Sequence, residues 1–278
     1  ALKGVWALPL PMTPGYDVSG VVAAVGDNVD SFSVGDAAFA VIWGEHSHDA
    51  GERGGSIGGA FAEYVAVPVS KLSHKPSTVS HVHAASVALV GTTATQALTQ
   101  LNVHEGSKLL VLGGSSAVGA VATQLAKLRG AWVATTCSSR TLEYAKRFGA
   151  DLHVDYRACD WANDVAELKG VDAVLDTTGE VDGFAKAKTI LKADGAFISI
   201  ASADAGFDPA AHAPLRFAAF TVLSNEVKVQ DDLAQLLADG KLRVEIDSIF
   251  HGLSTASVRA LFDKQASGQS MGKNVLVL

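Results

Sequence analysis

From Leu109 to Gly119 the chain reads Leu-Leu-Val-Leu-Gly-Gly-Ser-Ser-Ala-Val-Gly, a continuous apolar run, a turn of small residues and the opening of an apolar helix. Such a turn leaves backbone N–H groups without partners at a helix N-terminus, where the helix dipole adds partial positive charge. The natural occupant is an anion such as a pyrophosphate. Ser115, Ser116, Ala117, Val118 and Gly119 are the candidate contacts. The dinucleotide fingerprint GxGxxG asks for glycine where this chain has Ser116, giving Gly114-x-Ser116-x-x-Gly119. The motif by itself therefore leaves open a βα turn whose small residues serve only close packing. The next apolar run ends Thr135-Thr136-Cys137-Ser138-Ser139-Arg140, with no Asp or Glu before Glu143. An acid at that point bonds an NAD ribose hydroxyl and repels a 2′-phosphate, which serine hydroxyls and a forked guanidinium bond instead. Ser138, Ser139 and Arg140 thus favour NADP over NAD, with Arg140 as a solvated first-turn helix residue being the alternative.

Other reactive side chains lack a pattern. His46 and His48, flanked by Glu45 and Asp49, have the composition of a metal site, but they lie in a glycine-rich loop with no third spaced ligand, as expected of a solvated polar loop. His81-Val82-His83 precedes a helical run and reads as helix entry. Cys137 reads either as an oxidation-sensitive thiol or as a small buried residue at a strand end. Neither Tyr144 nor Tyr156 has Lys four positions on, which removes the Tyr-x-x-x-Lys reductase reading.

These residues need elements to position them. Short strands are expected within residues 17–26, 37–42 and 60–67, with a long loop at 43–59 holding six glycines. Helical spacing over 84–101 leads to a buried strand at 108–112 and a helix at 118–128. Strands follow at 132–136, 152–154, 171–175 and 196–200, separated by helical stretches at 142–148, 161–168 and 183–191. Apolar strands alternating with helices predict a doubly wound parallel sheet covered on both faces. A strand at 217–223, a helix at 231–237, a strand at 244–250, a helix at 254–264 and a strand at 274–278 complete the chain.

Composition sets the outer bounds. The 278 residues are 48% hydrophobic and 18% charged, with net charge −7, which describes a folded chain with material for about two domains. No Lys/Arg cluster points to nucleic acid or to an anionic membrane surface, no apolar run is long enough to span a membrane, and Cys137 and Cys159 form no CxxC pair. Small-molecule partners and a cytoplasmic setting are expected.

Taken together and in order, the motifs resemble the medium-chain dehydrogenases/reductases, in the zinc-independent quinone oxidoreductase (zeta-crystallin-like) and enoyl-reductase branch. The carriers are residues 14–22 (PGYDVSGVV), 34–36 (VGD), 59–65 (GAFAEYV), 91–98 (GTTATQAL), 113–119 with 124–127 (QLAK), 148–151 (FGAD), 174–179 (VLDTTG) and 272–276 (GKNVL). The resemblance implies a GroES-like, partly open β-barrel for catalysis at residues 1–90 and 227–278. It also implies a Rossmann domain at 91–226, with NADPH and substrate taken between the two. By position, Thr93 resembles the threonine near the nicotinamide, and Ser138, Ser139, Arg140 and Tyr156 the 2′-phosphate and adenosine contacts. Ile200, Ala201 and Ser202 resemble residues lying along the nicotinamide, and Lys273 one close to the cleft. A homodimer is implied, with residues 217–223 as the edge strand.

Departures carry information too. Where zinc alcohol dehydrogenases of the superfamily have Gly-His-Glu, this chain has Gly15-Tyr16-Asp17. The zinc ligand is lost and a metal-free site is implied. Tyr16 either donates a proton or hydrogen bond to a developing enolate or quinolate oxygen, or fills the space zinc leaves. Only residues 1–13 precede Pro14, so a fragment or shortened form is expected, with a barrel incomplete at its N-terminus. Two functions follow: NADPH-dependent reduction of a quinone or an α,β-unsaturated carbonyl, with the 43–59 loop bordering substrate, or a catalytically silent NADP-binding protein.

Overall fold

The structure, a computed structural model, describes residues 13–42, 59–201 and 214–278. The expected loop at 43–59 lies outside the described residues except for Gly59. So do His46, His48 and Ser202. The chain divides into two compact units, one formed by residues up to 92 together with 223–278, the other by residues 93–222.

The second unit is a six-stranded sheet whose strands are β4 (Lys108–Leu112), β5 (Trp132–Cys137), β6 (Leu152–Asp155), β7 (Val171–Asp176), β8 (Leu191–Ser199) and β9 (Phe217–Phe220). Their order is β6-β5-β4-β7-β8-β9 and every neighbouring pair is parallel. Parallel strands need crossovers that cover both faces, so the strands are apolar throughout: Leu109, Leu110 and Val111 are fully buried, as are Val174, Leu175, Phe197 and Ile198. The crossovers include α2 (Ala117–Leu128), α3 (Leu142–Lys146) and α4 (Gly183–Lys188). Because β5 lies on one side of β4 and β7 on the other, the sheet reverses at β4, and the crevice of a doubly wound fold opens at that strand's C-terminal end.

The first unit contains an antiparallel sheet of β1 (Asp17–Val21), β2 (Ala37–Val41) and β3 (Ser73–His74), and a parallel pair β10 (Ile246–His251) and β11 (Lys273–Val277) joined through α6 (Thr255–Ala266). Also in it are α5 (Val227–Ala238) and the N-terminal part of α1 (His81–Gln100). Gln230, with no exposure, holds β2 to the turn before β3: its Oε1 accepts the Val41 N–H at 2.8 Å and its Nε2 donates to Lys71 O at 3.1 Å. Among the described residues no helix is long and apolar enough to cross a membrane.

Two expected elements are absent. Residues 60–67 form no strand: Ala60 and Phe61 donate to Gly15 O and Pro14 O, and a Cβ on Gly59 would stand 2.0 Å from Thr13 O. That crossing is consumed in two hydrogen bonds and the chain turns away. Residues 161–168 form turns and a single 3-10 segment at Ala166–Leu168 instead of a helix. Asp160 accepts from the Ala162 N–H and the Asn163 side chain while its own N–H donates to Asp164. Such local side-chain bonds offer the backbone an alternative to helix. Trp161 is nonetheless buried, its Nε1 donating to Glu180 at 3.0 Å. Element ends also shift: the first strand stops at Val21, β9 stops at Phe220, α1 begins three residues before Ala84, and α5 begins at Val227. His81 and His83 fall in the first turn of α1, with Ser19 Oγ and Ser80 Oγ each 2.8 Å from an Nδ1.

Two stability outcomes follow from these contacts. Gln230→Ala strands a buried N–H and a buried carbonyl, so the protein should lose roughly 2 kcal/mol, read as a lower urea midpoint. Asp151 takes two bonds from Lys127 and one from the Val133 N–H, joining α2 to β5. Burial alone would raise its carboxyl, but those hydrogen bonds prevail and hold it below the ordinary carboxylate value. A carboxyl lowered on folding adds stability above its unfolded pKa and loses it as pH falls through the folded one. Asp151→Asn should therefore weaken the protein at neutral pH and flatten the acid limb of its stability curve, measured by denaturant unfolding across pH.

Candidate functional site

The turn after β4 is held by its backbone. Gly113 has φ of 88°, and the N–H groups of Gly113 and Gly114 donate to Thr136 Oγ1 and Thr136 O, each at 2.9 Å. A Cβ at Gly114 would stand 1.8 Å from Thr135 Oγ1, and one at Gly119 2.2 Å from Gly113 O. Glycine at these two positions lets α2 start directly against the strand ends. Ser116 then caps α2: its Oγ accepts the Gly119 N–H at 2.9 Å. The same Oγ lies 2.9 Å from Thr177 Oγ1, which donates to Leu112 O at 2.7 Å. With the Thr177 proton placed on that carbonyl, Ser116 donates to Thr177. One directed chain thus runs from the Gly119 N–H through two hydroxyls to the end of β4. The serine in the fingerprint's glycine position folds inward and serves the helix cap. No hydrogen bond among the described residues engages the N–H groups of Ala117 and Val118, and Ser115 to Val118 are all partly exposed. The turn can therefore accept a bound anion through backbone donors.

Beside it, β5 and β6 end in register, Cys137 opposite Asp155, and Tyr156 N donates to Cys137 O at 3.1 Å. The structure thereby brings Tyr156 to the strand end from which Ser138, Ser139 and Arg140 leave, which sequence order does not. Ser138 is buried and bonded with Thr141, its N–H and Oγ each 3.2 Å from the Thr141 hydroxyl. Its hydroxyl is committed locally, while Ser139 and Arg140 are exposed. The Cys137 thiol is 1% exposed, and burial with the nearby Asp155 pushes its pKa up against the opposing pull of Lys146. It is a small buried residue at a strand end, without the lowered pKa of a reactive thiol.

On the other side of β4, Asp176 ends β7 with only 1% exposure. Its Oδ1 accepts from Thr178 N and Oγ1 at 2.8 Å each and from Gly179 N at 3.1 Å, and its Oδ2 accepts from Ser199 Oγ at 2.8 Å. Ile200 N donates to Asp176 O, and Ala201 N to Ser199 Oγ. Asp176 therefore ties together the loops leaving β7 and β8: its carboxylate holds Thr178, Gly179 and Ser199, its backbone carbonyl holds Ile200, and Ser199 in turn holds Ala201. Neither Asp176 nor Thr177 is among the expected contacts. The signal for both was an acid followed by Thr-Thr-Gly at the end of an apolar strand, since a buried carboxylate requires donors around it.

In the first unit, Tyr16 follows Gly15, whose φ is 95°, and its carbonyl accepts from Ile42 N at 2.7 Å. Burial raises the Tyr16 phenol above its ordinary value, so it is a neutral O–H donor at physiological pH. Lys273 Nζ pairs with Asp17 Oδ2 at 2.8 Å, and Asp17 Oδ1 accepts from Leu89 N at 2.6 Å. Lys273 thus ties β11 to β1 and, through Asp17, to α1. Thr93, on α1 in the second unit, is 7% exposed. Among the described residues no three His, Cys, Asp or Glu side chains gather as metal ligands.

Residues 1–77 match the alcohol dehydrogenase GroES-like domain model and residues 117–241 the zinc-binding dehydrogenase model. The chain is 35% identical over 197 residues to a 2-methylene-furan-3-one reductase of Solanum lycopersicum, covering 70% of this chain and 48% of that protein. It is 35% identical over 198 residues to an NADPH-dependent alkenal/one oxidoreductase, chloroplastic, of Arabidopsis thaliana, with the same shares covered. The chain thus spans about half the length of these curated relatives. Among solved structures, the quinone oxidoreductase from Coxiella burnetii superposes with a TM-score of 0.83 at 30% identity, over 97% of this chain and 80% of that one. With the reversing parallel sheet, the GroES-like match and tyrosine where zinc-dependent members have a ligand, the chain belongs to the medium-chain dehydrogenase/reductase superfamily, in its zinc-independent quinone oxidoreductase branch.

Proposed function

We propose that the protein reduces a quinone or an α,β-unsaturated carbonyl by hydride transfer from NADPH, without zinc. The observation that carries this reading is the turn at Gly113–Gly119: it presents the Ala117 and Val118 N–H groups at a helix N-terminus, beside a strand end that offers Ser139 and Arg140 where an NAD site would have an acid. The names of the relatives support the substrate class. When bound, the nicotinamide supplies the hydride. The chain's own residues bind, orient and protonate.

In this reading residues 91–226 carry the cofactor and residues 1–90 and 227–278 the substrate. Ala117 and Val118 hold the pyrophosphate through backbone donors, with Ser115, Ser116 and Gly119 shaping the turn. Ser139, Arg140 and Tyr156 meet the 2′-phosphorylated adenosine, with Ser138 fixing the loop that presents Ser139. Asp176 holds Ile200 and Ala201 in place along the nicotinamide, and Thr93 lies near it. Ser202 and Lys273 are assigned to the same cofactor from the family pattern, Lys273 acting through Asp17. Tyr16 donates to the substrate oxygen on which negative charge develops, which lowers the barrier where charge appears; water is the other proton source. β9, paired on one side only among the described residues, is the strand we assign to a homodimer interface. A cytoplasmic location agrees with the cysteine pattern.

Fluorescence titration with NADPH and NADH, then addition of a simple quinone and a simple enone, tests the reading. NADPH should bind more tightly than NADH and turnover should follow. Binding without turnover identifies a catalytically silent member, and failure to bind either nucleotide refutes the role of the turn. Tyr16→Phe should lower kcat by about 100-fold, within the range of a lost acid, with NADPH affinity unchanged. Because the phenol must be protonated to donate and its pKa is raised, the alkaline fall in kcat should lie above the ordinary tyrosine value of about 10 and vanish in the phenylalanine variant. A fall unaffected by the substitution would assign the proton to water.

A further inference from the structure

Tyr16 is the side chain assigned a proton, and the residues from Pro14 to Asp17 are tied to separate segments of the first unit. Pro14 O accepts from Phe61 N and Gly15 O from Ala60 N, each at 2.9 Å, and Tyr16 O accepts from Ile42 N at 2.7 Å. The Phe61 ring covers Gly15, where a Cβ would stand 2.5 Å from Phe61 Cδ1. These three hydrogen bonds are made by backbone atoms and do not depend on the side chains of residues 14–17. The tie at Asp17 does. Its carboxylate spans two elements, with Oδ2 2.8 Å from Lys273 Nζ in β11 and Oδ1 accepting from Leu89 N in α1 at 2.6 Å.

Leu89 lies inside α1, where an N–H is ordinarily given to the carbonyl four residues back. A carboxylate that also reaches such a donor makes a strong, charge-assisted bond. Both members of the ion pair are only 18% exposed, so neither side chain is free to swing into water. Tyr16 shares a peptide group with Asp17, and where that carboxylate is anchored sets the direction in which the tyrosine leaves Gly15. We infer that Asp17 is a positioning residue for the Tyr16 hydroxyl: clamped between Lys273 and Leu89, it holds the tyrosine at hydrogen-bonding distance from the substrate oxygen. This deepens, and rests on, the assignment of Tyr16 as the donor. A general acid works only within about 2.6–3.2 Å of the atom it serves, and a misplacement of about 1 Å costs on the order of 100-fold in rate.

The test is a double-mutant cycle in the full chain with Asp17→Asn and Tyr16→Phe, followed through kcat, the KM of a simple enone and the affinity for NADPH. Asp17→Asn keeps an oxygen for the Leu89 N–H and removes the ion pair. It should lower kcat about tenfold, part of the cost of a misplaced group, with KM and NADPH affinity unchanged. In the Tyr16→Phe background the same change should cost less than about twofold, since no hydroxyl remains to be placed and the two sites are coupled. Lys273→Gln frees the carboxylate from the other side, and its effect on kcat should depend on Tyr16 in the same way. Equal costs in both backgrounds assign Asp17 to folding alone and overturn the inference while the reduction stands. A kcat indifferent to Tyr16→Phe removes Tyr16 as donor and Asp17 as its positioner, with hydride transfer intact. Absence of turnover in the unsubstituted protein refutes the function itself and the role of Asp17 with it.

Discussion

The architecture of the second unit turns on how β4 and β7 end together. Thr177 sends both its N–H and its hydroxyl to the carbonyl of Leu112, so the last residue of β4 is closed by the first residue beyond β7. The carbonyl that ends a buried strand needs a partner, and this bond supplies one at the point where the strand order reverses. The Ser116 hydroxyl joins the same chain and caps α2. The helix start, the loop after β7 and, through Asp176, the loop after β8 are consequently one hydrogen-bonded assembly. Preorganised backbone donors at a helix N-terminus are worth most when nothing must rearrange to present them.

Local charge matters more than net charge at the neighbouring edge. The chain is acidic overall, and an acidic protein gains nothing from long-range steering of an anionic ligand. Its affinity for one has to come from short-range, directed donors. Under the proposed function Arg140 at the end of β5 is such a donor, while the cation that lies closest to it in sequence, Lys146, is paired with Glu143. In the first unit the ion pair of Lys273 and Asp17 does a different task, joining the last strand to the first described one.

The sheet was legible because its strands are apolar from end to end and each is followed by a helix or turn at fixed spacing, so that residues 108–112, 132–136 and 171–175 could be placed almost to the residue. Residues 161–168 were misread because an apolar spacing suitable for a helix met an Asp160 whose side chain captures the local N–H groups. Residues 60–67 were misread because β-prone composition says nothing about whether a partner strand lies alongside. At the site, the turn was legible in its glycines, yet the role of Ser116 was not: a serine at a helix start caps or contacts a ligand according to where its χ1 points, and here Thr177 decides that.

The sequence by itself determined the class of the fold, the position of the glycine-containing turn after β4 and the absence of an acid at the end of β5. All three follow from local patterns: hydrophobic period, glycine placement and residue type at a strand end. The tertiary structure alone decided which side chains are available there. It spent the hydroxyls of Ser116 and Ser138 on caps and buried Asp176 as the tie between two loops. It also carried Tyr156 across from the next strand to the end of β5, where its N–H meets Cys137 O. Such assignments depend on pairings between residues far apart in the chain, and hydrogen-bond satisfaction at buried strand ends is settled only when those strands lie side by side.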